Sequence, residues 1–246
     1  MDIQELRQKL VKECLNYGAY QGTTEVVVDI PYIPYIPENW NGILVVAEAQ
    51  NLNIGDYANC SDEQKICRLY PDHDSSRSYA IEGPFPKMDV KPWEDGSIPL
   101  ALKAALDLNP YETAVCNACL WSLRKDDKNE TPNDEMQNQS KQLWEKLWAI
   151  LDSNAQKVVC CGKIAWSIFN FVEEGKKQKL CHPSKKLLTP VSGMLKEEDL
   201  FSFYPDVKRA YDALEYERYG IKHKQNKIFY ASHAVSWLKN NSDRNN

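Results

Sequence analysis

Three short stretches of the sequence carry residue types that could do chemistry. The first is Gly42-Ile-Leu-Val-Val-Ala-Glu-Ala-Gln-Asn51, where the carboxylate of Glu48 and the amides of Gln50 and Asn51 follow a mostly β-branched apolar run. That run, 43–46, predicts a strand buried on both faces, as in a parallel sheet. Ligands of open α/β sheets bind beyond the carboxyl ends of the strands, so a polar cluster at that position is a site candidate. The plainer reading is an ordinary strand-to-loop transition with a solvated glutamate. The second is Asn117, inside the apolar run 113–120. A buried amide must be hydrogen-bonded, either to backbone or to a ligand. The third is His182-Pro183-Ser184. A lone histidine is more often a satisfied structural residue, and Pro183 holds the two residues before it extended and starts a turn.

The eight cysteines invite a different chemistry. Cys116-x-x-Cys119 is the one CxxC, and a structural zinc site would require a second pair or histidines at matching spacing. Cys60, Cys67 and His73 supply that only through long-range folding. Cys160 and Cys161 lie in an apolar run and read as small core residues. No metal is expected, and the thiols are expected to be reduced.

Elements of alternating type would position these residues. Helical spacing of Ile3, Leu6, Leu10 and Cys14 predicts a helix over 3–16. Residues 24–30 read as extended, and Pro31, Pro34 and Pro37 keep the following segment extended, with its aromatic residues packed on the core. Residues 52–98 form a long irregular stretch, of the kind that is functional or carries structure of its own. Helices are predicted over 99–108 and 133–151, from Gly162 through Phe169, and over 206–219 and 232–240. Further strands are predicted at 113–120, 158–161 and 179–184, with a polar loop at 121–132. This alternation predicts an α/β fold, three-layer α/β/α, around a central, mostly parallel four-stranded sheet. One domain over 1–246 is expected, with segments 1–40 and 191–246 packed on it.

With 43% hydrophobic and 26% charged residues over 246 positions, a sizeable core is available. No apolar run reaches transmembrane length, so no membrane partner is expected. The start of the chain lacks a basic-then-apolar signal pattern, so a cytoplasmic protein is expected. A net charge of -5 argues against a protein that coats nucleic acid non-specifically. Local concentrations of lysine remain at 176–186 and 222–227, each readable as a solvated face or a phosphate-binding patch.

In order and type, these pieces resemble the uracil-DNA glycosylase superfamily. Ala47-Glu-Ala-Gln-Asn51 resembles the Gly-Glu-Ala-Pro-Gly motif of its thermostable, cluster-containing family. The block Asn117-Ala-Cys-Leu120, a polar loop, a helix led by Pro132, then Lys157-Val-Val-Cys-Cys-Gly162 and Ala165, is similar to that family's middle portion. His182-Pro183-Ser184 resembles the superfamily's second signature. The resemblance spans roughly residues 42–190. Ala47 and Gln50 stand where the family carries Gly and Pro, and Ala49 stands where some branches carry a catalytic Asp or Asn. The N-terminal CxxC of the iron–sulfur family is missing, so no cluster and no other cofactor is expected.

The resemblance implies hydrolysis of the N-glycosidic bond of a base flipped out of DNA. Glu48 would be the carboxylate that stabilises the sugar cation or activates water, with Asp56 as runner-up. His182 would donate to the departing base. Asn117 would read the base edge, with Gln50 and Asn51 beside it. Phe85 in Gly83-Pro84-Phe85 would stack on the base, or Tyr57 or Tyr79 in its place. Ser184, Lys185 and Lys186 would hold phosphates, and Leu187 or Leu188 would fill the vacated stack. Uracil is the default base, and the long 52–98 segment would suit a bulkier one, such as the modified pyrimidine of phage DNA that one branch removes. A monomer acting on DNA is expected. The alternative is a catalytically silent DNA- or protein-binding module on the same fold.

Overall fold

A computed structural model describes residues 2–26, 31–49, 97–125, 128–182, 196–214 and 224–242. In chain order the elements are α1 (Ile3–Tyr17), β1 (Ile43–Ala47), α2 (Ser97–Leu106), β2 (Ala114–Asn117), β3 (Arg124–Lys125), β4 (Lys128–Asn129), α3 (Asp134–Leu151), β5 (Lys157–Cys161), α4 (Lys163–Ile168), β6 (Lys177–Leu180), α5 (Glu197–Phe203), α6 (Pro205–Ala213) and α7 (Lys224–Ser242). The fold is α/β, with the expected four-stranded sheet at the centre of an α/β/α arrangement. Strand order is β2-β1-β5-β6. The described residues divide into two compact units, one drawn from 1–78 and 112–179, the other from 79–111 and 180–246.

β1 lies in the middle of the sheet, parallel to both β2 and β5. Leu44, Val45 and Val46 are fully buried, which is why the run is apolar throughout rather than alternating. In the first unit, α1 begins at an Asp2 cap whose Oδ1 accepts from the Gln4 N–H at 2.7 Å. It buries Leu6, Leu10 and Cys14 along one stripe and packs against α3. α3 is capped by Asn133, whose Oδ1 accepts from the Met136 N–H at 2.8 Å, and buries Met136, Ser140, Leu143, Trp144, Leu147, Trp148 and Leu151.

The proline-rich segment does more than pack on the core. Tyr35 and Val115 exchange both backbone hydrogen bonds, at 2.9 and 3.0 Å, and the Tyr32 N–H donates to the Leu120 carbonyl at 2.8 Å. The segment therefore satisfies the outer edge of β2 by an antiparallel bridge. Its prolines leave the two tyrosine N–H groups available for it. Arg7, buried on α1, donates from Nε to the Ile36 carbonyl at 2.9 Å and holds this segment from the helix side.

Several boundaries differ from the sequence expectation. Residues 121–132 are not simply a polar loop: β3 and β4 pair antiparallel within it. Both strands are polar, so no apolar alternation announces them. The fourth strand was expected at 179–184 and runs instead over Lys177–Leu180, so His182 follows the strand rather than ending it. Its start was hidden because it is polar. Lys177 is nonetheless buried, with its ammonium 4.3 Å from the centre of the Trp166 ring and 2.8 Å from Glu174. The second strand is shorter than 113–120 and ends at Asn117.

The second unit, as described, is helical. α7 packs on α2, α5 and α6, and α2 packs on α6. α7 starts at Lys224, well before the expected 232. α6 ends at Ala213 rather than 219, while α5 was not anticipated. Its first turn carries Glu197, Glu198 and Asp199, and Asp199 accepts from the Lys196 N–H at 3.2 Å. No helix among the described residues is long and apolar enough to cross a membrane.

Candidate functional site

The strand order makes one place in the first unit special. From β1 the chain crosses to β2 on one side, then returns past β1 to β5 on the other. The carboxyl ends of β1 and β5 thus flank a topological switch point, where diverging connections leave a crevice in sheets of this kind. Glu48 is the first residue after β1 and is half-buried. Across the switch point, Val46 pairs with Cys160, and Gly162 turns the chain into α4 with φ of 100°, a value side-chain-bearing residues rarely adopt.

On the other flank of β1, Ala47 pairs with Asn117. Asn117 is the last residue of β2 and only 1% exposed. Because the strands are parallel, Glu48 and Asn117 lie at the same carboxyl end of the sheet, one register step apart. Neighbouring strands lie about 4.8 Å apart.

The backbone at this edge is held from several directions. The Ala118 N–H donates to the Ala47 carbonyl at 2.7 Å and the Cys119 N–H to the Glu48 carbonyl at 2.9 Å, so pairing continues one step beyond both strands. From α3, Trp144 Nε1 donates to the Ala118 carbonyl at 2.9 Å. Ser140 Oγ accepts from the Leu120 N–H, also at 2.9 Å. An edge whose backbone is fixed in this way holds the residues it carries at set positions, which favours positional catalysis or tight recognition.

Ser140 and Trp144 were not singled out from the sequence as site supports. Ser140 carried a readable signal, since a small polar residue interrupts the apolar stripe of α3 between Met136 and Leu143.

Ala49 packs partly buried against the core and offers no reactive group. Cys116 lies in β2 and Cys119 beyond its end. Both are free and buried. Burial pushes both thiols well up, and the Glu48 carboxylate adds to the rise at Cys119. Burial likewise pushes Cys160 up to about 12, against the opposing pull of Lys177 and Lys179. These are neutral thiols that pack as small apolar groups. Among the described residues, no group of three or more His, Cys, Asp and Glu side chains is placed to hold a metal ion.

In the second unit, His182 is half-buried two residues after the end of β6. The Tyr230 hydroxyl donates to the carbonyl of the preceding residue, Cys181, at 2.7 Å. Of the sequence-predicted residues, the structure brings Glu48 and Asn117 to one edge and sets His182 just after a strand. Gln50, Asn51, Asp56, Tyr57, Tyr79, Phe85, Ser184, Lys185, Lys186, Leu187 and Leu188 lie outside the described residues. No protein-family model matches the chain, and no curated protein matches it.

Proposed function

We propose that the protein is a monofunctional DNA glycosylase. The observation that carries this reading is the position of Glu48 at the switch point, with Asn117 on the neighbouring parallel strand at the same sheet edge. The order of the three motifs in the sequence supports it. In the reaction, the bond between C1′ of the sugar and the base nitrogen breaks and its electron pair leaves with the base. Glu48 stabilises the cationic sugar and takes a proton from the water whose oxygen bonds to C1′. The Asn117 amide, both donor and acceptor, reads the base edge. The motif resemblance gives His182 the hydrogen bond to the oxygen that gathers negative charge on the departing base. The products are the free base and an abasic site. Uracil is the default substrate, and a bulky modified pyrimidine of phage DNA is the candidate for a widened pocket. The reading includes a monomer working in the cytoplasm on DNA, without a cofactor.

Ala49 favours a second reading, a silent DNA- or protein-binding module, because it places an inert side chain at a position where relatives of the proposed type carry an acid or amide. One experiment separates the two. Oligonucleotides that each carry one candidate base, together with modified phage DNA, are incubated with the protein and then treated with alkali or an abasic-site probe. Strand scission at one of those bases is expected. Absence of an abasic product from every substrate, together with retained binding, sinks the enzyme in favour of the module.

A further inference from the structure

The carbonyl of Cys181 and the nitrogen of His182 belong to one planar peptide unit. A group that fixes that carbonyl fixes the plane from which the His182 backbone, and so its imidazole, departs. Tyr230 is such a group. Its hydroxyl donates to the Cys181 carbonyl at 2.7 Å, the usual length for an O–H···O bond. Burial pushes the Cys181 thiol up to about 11, and Tyr230 beside it opposes that rise. Tyr230 is fully buried on α7, where Ile228, Ala231, Ala234 and Val235 are buried with it. A phenol locked into a helix by its packing has few rotamers left, so its hydroxyl is a fixed point rather than an adaptable contact. On the other side, Pro183 in the sequence restricts His182 to extended backbone.

We propose that Tyr230 is a positioning residue for His182, acting through the Cys181 peptide. This assigns α7 a part in the reaction, although the family resemblance ends near residue 190. The inference rests on the proposed function for its catalytic consequence alone. The positioning itself can be read without substrate.

The test uses the full chain with Tyr230→Phe, which keeps the ring and removes the donor. Ser232→Ala serves as a control, because it removes another buried hydroxyl of α7, one bonded to the Ile228 carbonyl at 2.9 Å and not to Cys181. The imidazole resonances of the four histidines are followed by NMR against pH, with His182 assigned from His182→Gln. Single-turnover base release is measured in parallel. In Tyr230→Phe the His182 resonances are expected to shift and broaden, with the chemical rate falling roughly tenfold or more and substrate affinity nearly unchanged, the effect of a misplaced catalytic group. In Ser232→Ala both are expected to match the parent. Unaltered His182 resonances in Tyr230→Phe, an unaltered rate in that variant of an active parent, or an equal effect from Ser232→Ala would each overturn the proposal. If the parent releases no base, the glycosylase reading fails and the resonances alone decide the positioning. If Tyr230→Phe does not fold, a ring-fluorinated tyrosine at that position, altered in donor strength but not in shape, must shift the His182 resonances for the proposal to stand.

Discussion

Asn117 stands opposite Ala47 across the parallel β1–β2 ladder, and this pairing sets it one register step from Glu48 at the carboxyl end of the sheet. Glu48 is half-buried and adjoins the switch point, whereas Asn117 is enclosed at 1% exposure. The two therefore answer differently to substitution. Glu48→Gln keeps the shape and removes the charge. On the proposed reading it lowers single-turnover base release by about 10²–10⁴-fold, the range for a positioned acid or base, while the thermal midpoint stays near that of the parent. Equal release from variant and parent would take Glu48 out of the chemistry.

Ser140 offers a prediction about stability that needs no substrate. Its hydroxyl, fully buried, accepts the Leu120 N–H at 2.9 Å. Ser140→Ala is favourable for helix propensity but strands a buried donor. The net result expected is a loss of about 1–3 kcal/mol, the cost of an unsatisfied buried group, read from urea unfolding followed by circular dichroism. A variant as stable as the parent would show that water or another acceptor replaces Ser140.

How much of this was visible in the sequence depended on whether a residue's role is local. β1 and β5 were readable because Leu44, Val45, Val46, Val158 and Val159 are buried on both faces, which leaves a continuous apolar run. β6 was misplaced because a buried lysine looks like any other lysine until Trp166 and Glu174 are seen around it. The bridge from Tyr35 to Val115 was hidden by prolines that ordinarily argue against pairing. Glu48 and Asn117 were each identifiable as a polar residue ending an apolar run. That they share an edge is a matter of strand order, which no window of sequence contains. Tyr230 carried no signal at all, since its hydrogen-bond partner is a carbonyl 49 residues away in the chain.

The buried thiols predict both a reactivity pattern and a pH dependence. Burial raises Cys14, Cys116 and Cys119, and raises Cys160 from 9.0 to about 12. In the native protein these four are expected to resist iodoacetamide near pH 8 and to label fully only after unfolding, as read by peptide mass spectrometry. A thiol whose folded value is raised contributes stability that is fully present below its unfolded value. Above about pH 9 the unfolded chain ionises while the folded chain does not, and the contribution is lost as pH rises through about 12. The urea midpoint is therefore expected to fall between ~pH 7.5 and ~pH 10.5. Rapid native labelling of Cys116 or Cys119 would contradict their enclosure.

Gly42 precedes β1 with φ of +79°, and an added Cβ would lie 2.8 Å from the Gln156 side chain and 3.0 Å from the Asn154 carbonyl oxygen. Its own carbonyl accepts from the Gln156 N–H at 2.8 Å, at the turn where β1 and β5 come into register. Gly42→Ala combines a left-handed backbone cost of about 1–2 kcal/mol with a displaced neighbour. A drop in stability of at least that size is expected in urea unfolding. The double variant Gly42→Ala, Gln156→Ala should recover only part of it, because truncating Gln156 relieves the side-chain contact but neither the backbone conformation nor the approach to Asn154. Full recovery would locate the whole cost in Gln156 and show that the positive φ is not demanded by the turn. No loss in the single variant would show that the β1–β5 register, and with it the position of Glu48, does not depend on glycine at this point.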